Sequence, residues 1–197
     1  MKTNLPRIRT LAGLALLTAS GLALLVGCAG HPRTPALSGF LTHYCTLDKV
    51  DDTTWRYIDN SRLATYNRFR ITDVRVLANY FNGKELSDET KQKVTDYMRS
   101  AIVNALGDRY PVGVYSGPDV ADIRVAITEA YMTENHLGLT IEGEILDSTS
   151  GYQVAAVVRT QLSEPYYSDY FDAPAAREMM RMWAQRLRDA IDVAHKR

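Results

Sequence analysis

Apolar residues follow three rhythms along this chain. Over residues 11–26 they form one continuous run, broken only by small residues and Thr18. Two later stretches repeat at three- and four-residue steps, the mark of one helix face. In the first, Val94, Tyr97, Met98, Ala101, Ile102, Ala105 and Leu106 form a stripe behind Ser87, a good N-cap, with Asp88 and Glu89 in the first turn where the helix dipole favours acids. Gly107 follows, where a left-handed cap is expected. The second starts near Asp172-Ala173-Pro174 and carries Met180, Trp183, Leu187, Ala190, Ile191 and Ala194, with Asp192 and Lys196 spaced as a four-apart pair.

The third rhythm is alternation. Residues 55–58 predict a short strand, and within 66–77 Thr72, Val74 and Val76 share one face while Asp73 and Arg75 share the other. Residues 81–84 predict a turn and 112–115 another short strand. Three longer strands follow: Ile123, Val125 and Ile127; then Leu137, Leu139, Ile141 and Ile145 alternating with Thr140, Glu142 and Glu144; then, after a hairpin connection at 147–151, Val154, Ala156 and Val158. Phe40, Leu41, Tyr44 and Leu47 suit a helical turn or an irregular packed segment, and 48–54 reads as a loop. The sum is an α/β (α+β) sandwich: a mostly antiparallel sheet of about five to six strands with two amphipathic helices on one face, the other face wet or lightly covered.

The apolar run acquires meaning from its flanks. Lys2, Arg7 and Arg9 precede it with no acid, as in a secretory signal. It is short for a spanning helix, which needs about 20 apolar residues. It ends in Leu25-Val26-Gly27-Cys28, which resembles the bacterial lipobox, where cleavage between Gly27 and Cys28 leaves a Cys carrying a diacylglycerol and an N-acyl chain. The resemblance implies a signal peptide at 1–27, a lipidated Cys and flexible tether at 28–37, and a single periplasmic domain at 38–197. Ala29 is not the Asp that commonly retains such proteins in the inner membrane, so an outer-membrane anchor facing the periplasm is implied. Two or more acyl chains make a stable anchor where one is marginal. The tether, with Gly30, Pro32 and Pro35, reaches about 30 Å when fully extended.

Charge narrows the partners. The chain has 23 Lys+Arg and 23 Asp+Glu, and removing residues 1–27 takes away three cations and no anion, leaving a formal −3. That balance gives no footprint for nucleic acid and no polybasic patch for anionic lipid. With Cys28 lipidated, Cys45 is left alone, without an internal disulfide; it reads as a small buried hydrophobe, the alternative being a thiol that pairs between chains.

Candidate chemistry is sparse. Ser116 comes one position late for a G-x-S-x-G elbow and reads as a turn residue. His31, His43, His136 and His195 are scattered, without zinc spacing. His43 and Cys45 would share a face of an extended segment, but a Cys–His dyad needs hydrogen-bond reach and an orienting partner. Glu142 and Glu144, with Glu129 on a neighbouring strand, could serve acid–base chemistry or Ca²⁺; alternation opposite an apolar face marks them instead as the solvated side of a sheet. Tyr166, Tyr167, Tyr170 and Phe171, in a Pro-containing connection, are candidate partner-binding residues if exposed, and otherwise close one end of the core.

Ser38-Gly39-Phe40-Leu41-x-x-Tyr44-x-x-Leu47, Ala121-Asp122-Ile123-Arg124-Val125 and the stretch 143–151 resemble Gram-negative lipoproteins grouped as domain-of-unknown-function family 3313. The resemblance implies location and fold and carries no activity. The expectation is a non-enzymatic outer-membrane lipoprotein that assists envelope assembly or binds an envelope protein or glycan, without cofactor or metal. The alternatives are an envelope hydrolase or transferase and a lipid-binding carrier. Cys28→Ser is expected to leave an unlipidated precursor, checked by acyl labelling and by the size of the product; normal labelling and processing would overturn the lipobox assignment.

Overall fold

In the computed structural model, the residues described are 37–107, 109–133, 135–165, 171 and 174–197. Their elements are β1 (Asp48–Asp51), β2 (Thr54–Ile58), α1 (Asn60–Leu63), β3 (Arg68–Val76), β4 (Tyr80–Phe81), β5 (Lys84–Glu85), α2 (Asp88–Leu106), β6 (Val120–Thr133), β7 (His136–Asp147), β8 (Gln153–Pro165) and α3 (Pro174–Ala194). Six strands form one sheet in the order β1-β2-β8-β7-β6-β3, antiparallel except for the β3–β6 pair. β4 and β5 form a separate small hairpin whose turn, Asn82-Gly83, has positive φ at both residues, the requirement of a type I′ turn.

The expected mixed sandwich is present, with a third, minor helix and the small hairpin added. Helices α2 and α3 pack together and, with the sheet, enclose the main core, in which Val94, Met98 and Ile102 meet Ile123, Val125, Trp183 and Ile191. Ser87 caps α2 as expected, accepting from Thr90 N at 3.2 Å. Gly107 does not take the left-handed cap: its φ is −58° and the helix closes on a bond from its own N–H to Val103 O. Asp192 does not pair with Lys196. It accepts from the Tyr110 hydroxyl at 2.6 Å and from Arg109 at 2.9 Å, which ties the end of α3 to the segment after α2.

The ladder slips at several places, and at three of them the slip keeps apolar side chains on the helix side. In β3 the ladder slips between Ile71 and Asp73, so Phe69 and Ile71 face the core before Thr72, and Val74 and Val76 after it. In β6 the slip lies between Ile127 and Glu129, which moves the core-facing set to Ala130 and Met132. In β8 the slip at Val154 puts that residue in the main core, whereas Ala156 and Val158 lie on the opposite face. An extra residue in one strand is what resets the two-residue period. Gly143, in the middle of β7, leaves room for Trp183: a Cβ there would lie 2.6 Å from its indole.

Two expectations are corrected. Residues 112–115 form no strand; Val112 makes an isolated bridge to Phe69, and Val114 is fully exposed. Residues 48–51, read as loop, form the edge strand β1, short, bulged and exposed at each residue, the kind of edge that resists further pairing.

Asp147, at the start of the β7–β8 connection, accepts from the backbone N–H of Ser150 at 2.6 Å and of Thr149 at 3.0 Å, and from the Tyr66 hydroxyl at 2.7 Å. These donors, Ser150 foremost and then Tyr66, hold its carboxyl down at about 2. An unfolded Asp titrates near 3.9, so this stabilisation is complete above that value and is lost as pH falls through about 2. Tyr66→Phe removes one donor; carboxyl-carbon NMR should then show Asp147 titrating at higher pH, and an unmoved titration would refute the link.

Candidate functional site

Two places in the fold bring functional groups together, one on each face of the sheet. The first lies on the face without α2 and α3. Glu142 and Glu144 project there from β7, the former fully buried and the latter 2 % exposed. They were expected on a wet surface, and the cover over them is residues 38–47. Phe40, Leu41 and Leu47 pack on Ala126, Ala156 and Val158, flanked by Tyr44, Trp55 and Tyr57, in a second apolar cluster. The spaced residues of the opening motif are therefore the apolar teeth of an irregular latch rather than a helical turn.

The latch also supplies donors. Glu142 accepts from Ser38 N at 3.3 Å and from the Tyr44 hydroxyl at 2.5 Å. Glu144 accepts from Thr42 N at 2.9 Å, Thr42 Oγ1 at 3.1 Å, Gln153 Nε2 at 2.8 Å and the Arg124 guanidinium. Arg124 lies over the Phe40 ring at 4.7 Å. Burial, and next the bond to Glu142, push the Tyr44 phenol up from its ordinary value. Glu129 stays apart and exposed, accepting from Thr140 Oγ1 at 2.8 Å. Both side chains have hydrogen-bond donors in a buried layer, as buried polar groups require.

The remaining sequence candidates are dispersed. His43 and Cys45 are both exposed, and Cys45 is disulfide-bonded, which corrects the expectation of a buried thiol outside any disulfide. Cys28, the other cysteine of the chain, lies outside the described residues, as do Gly27, His31, Tyr166, Tyr167 and Tyr170. Phe171 is 2 % exposed with its ring 5.5 Å from that of Phe81, so it closes the core and offers no docking surface. His136 and His195 each bond a backbone carbonyl, of Ser163 at 2.8 Å and of Tyr66 at 3.1 Å. Ser116 is exposed in its turn. Among the described residues no three His, Cys, Asp or Glu group to hold a metal, and no helix is long and apolar enough to cross a membrane.

The second place is a groove of about 750 Å³ on the helix face, between α3 and strands β1, β2 and β8. Its origin is a mismatch of widths. Six strands spaced about 4.8 Å apart span roughly 24 Å, whereas two packed helices, each about 10 Å across, cover roughly 20 Å. The helix pair falls short by about one strand spacing, and the gap lies at the β1 edge. Ile58, Val157, Trp183, Leu187, Ala190 and Val193 line the gap. Leu187 and Ala190 belong to the expected stripe of α3 yet are only half-buried, because the stripe is wider than the sheet surface it meets.

Arg159 and Arg186 stand in the same groove. Arg159 donates from Nη1 to Thr54 Oγ1 at 3.1 Å, and its buried Nε has no hydrogen-bond partner. Burial, and then the charge of Arg186, lower the Arg159 pKa from its ordinary value. The alternation of β8 contains Arg159, but nothing in the sequence places it beside Arg186, 27 residues on. That proximity comes from α3 crossing the strand.

Removing Arg124 tests the latch layer. Arg124→Met leaves Glu144 buried without its cation and should destabilise the fold by about 3 kcal/mol or more, read from urea unfolding. Arg181→Met, at an exposed pair with Glu178, should leave the unfolding midpoint nearly unchanged. Arg124→Met/Glu144→Gln should recover part of the loss; equal costs for the two single changes would contradict the arrangement.

No curated protein matches the chain. Among solved structures it is similar to the PelC dodecamer of Paraburkholderia phytofirmans, at 12% identity and a TM-score of 0.44, covering 68% of this chain and 96% of that one. It is similar to protein XCC0632 of Xanthomonas campestris at 11% identity and a TM-score of 0.46, covering 66% and 86%. A candidate lipoprotein of Caulobacter crescentus is similar at 11% identity and a TM-score of 0.36, covering 68% and 91%. Residues 36–139 match a family model that takes in the latch, β6 and the start of β7, and ends short of the 143–151 stretch. The chain belongs to the protein family of unknown function DUF3313.

Proposed function

We propose that this chain is a lipid-anchored, non-enzymatic accessory module of the outer membrane, its domain facing the periplasm and binding an envelope component in the groove beside α3. The groove carries this reading. It is a concave, aliphatic surface with a few polar groups, within the ~300–1,000 Å³ range of ligand sites, and its side chains suit holding a ligand rather than moving protons. Glu142 and Glu144, the carboxylate pair that an envelope hydrolase or transferase would use, are saturated with donors behind the latch.

The location rests on the lipobox and the charged flank of the apolar run. Lipidation converts the Cys28 sulfur to a thioether, which leaves that sulfur unavailable for any disulfide. The intact mass of the membrane-extracted protein tests it, since the anchor adds a diacylglycerol and an acyl chain; a mass without these additions would overturn the anchor.

The binding reading is tested in cells with a photoreactive residue placed at Leu187 or Val193, and at exposed Tyr80 as control. Adducts to an envelope component are expected from the groove positions and not from Tyr80. Failure of both groove positions to capture anything would overturn it.

A further inference from the structure

We infer that the groove is a site for an anionic membrane phospholipid, its phosphate held between Arg159 and Arg186 and an acyl chain laid along the aliphatic floor toward Val193. The inference rests on the reading that the groove is the working surface of the domain. It adds a chemical polarity that the strand register makes visible.

Along β8, Arg159 stands opposite Thr54, Val157 opposite Arg56 and Ala155 opposite Ile58. The side chain of Gln161 donates to Met179 O, near the start of α3, while Val193 near its end lines the groove with Ile58. Strand and helix therefore run past each other with both guanidinium groups toward one end of the groove. Ile58, Ala155, Ala190 and Val193 lie toward the other. From Arg186 to Val193 the helix advances about 10 Å, and from Arg159 to Ala155 the strand advances about 13 Å. Arg56, opposite Val157, and Asp48, opposite Arg56, border the groove between these ends; the paired guanidinium groups make one end cationic and the Val193 end is aliphatic, which is the pattern of an amphiphile.

The charges at the cationic end are compensated only in part. Arg186 makes no hydrogen bond or ion pair with the described residues, and Arg159 is left with an unmet donor. The charge of Asp51 acts on Arg159, but its carboxylate makes its hydrogen bonds to Thr53. Asp189 accepts from Gln185, and Asp48 stands opposite Arg56 in the β1–β2 ladder. Two guanidinium groups that repel each other beside a dry wall are stabilised by an anion between them, and their planar forks match phosphate oxygens. A glycan would leave the aliphatic floor uncovered.

The test uses the full-length protein reconstituted into vesicles containing phosphatidylglycerol with a diazirine on its acyl chain, or phosphatidylcholine with the same chain. The protein's own acyl groups carry no diazirine. Illumination and peptide mapping should place adducts at Ile58, Leu187 or Val193, about tenfold more with phosphatidylglycerol, the ratio that about 1.4 kcal/mol of charge pairing gives. Arg159→Glu should reduce them about as much. Arg186→Glu, at an exposed helix position, should do the same without lowering the melting temperature, so loss of folding is kept separate. Equal labelling by the two lipids, or labelling only outside the groove, would overturn the inference. Cellular capture of a protein or glycan from Leu187, without groove labelling by phospholipid, would overturn the lipid while leaving the groove as a binding surface; capture of nothing would overturn both.

Discussion

A carboxylate can be kept dry only where donors surround it, and Glu144 is dry at the centre of the sheet. Its acceptors are filled by Arg124 from the neighbouring strand, Gln153 from the other neighbour and Thr42 from the latch. Without the latch, Glu144 would lose two donors and Glu142 would lose both of its own, while Ala126, Ala156 and Val158 would face water. The two requirements, for donors and for apolar cover, are met by the same ten residues. This explains why a segment without regular structure nevertheless holds one course over the sheet. Its backbone N–H groups at Ser38 and Thr42 are free to point at β7 because no helix or strand consumes them.

The opposite face obeys a different constraint. Two helices were legible from their stripes, and both pack as a pair on the face chosen by Ile123, Val125, Ile141 and Ile145. A stripe reports which side chains of a helix seek cover, but it does not report how far the sheet extends beyond the helix. Leu187 and Ala190 carry the same apolar signature as Met180 and Ile191, yet they look across the edge of the covered area onto β2 and β8. The groove is thus a consequence of strand number, fixed when β1 and β2 add to the β8 edge instead of closing on the β3 side.

Most of the fold was readable because helix and strand periods are local properties. Ser87, the α2 stripe and the central β6–β7–β8 meander all follow from neighbours within about a dozen residues. The errors have a shared physical cause. Alternation assigns residues to faces and says nothing of what covers a face, so Glu142 and Glu144 looked wet. It also assumes an unbroken period, so the shift at Thr72 and the separation of Val154 from Ala156 were hidden until the ladder showed its bulges. Edge strand β1 was hidden by its polarity, since DKVD has no apolar face to announce it. Arg159 could be placed on a strand, but its approach to Arg186 depends on how α3 crosses the sheet, a tertiary fact.

The two faces meet at one strand. The chain enters the described structure at the latch, on the face away from α2 and α3, with Leu37 half exposed. The latch bonds reach β7 at Glu142 and Glu144, and Gly143 and Glu144 also border the groove on the helix face. Gly143 leaves the space that Trp183 fills, and Trp183 is itself a wall of the groove. The residues that fix the cover of one face and the wall of the other are therefore neighbours in β7, so a change in this strand cannot be confined to one face.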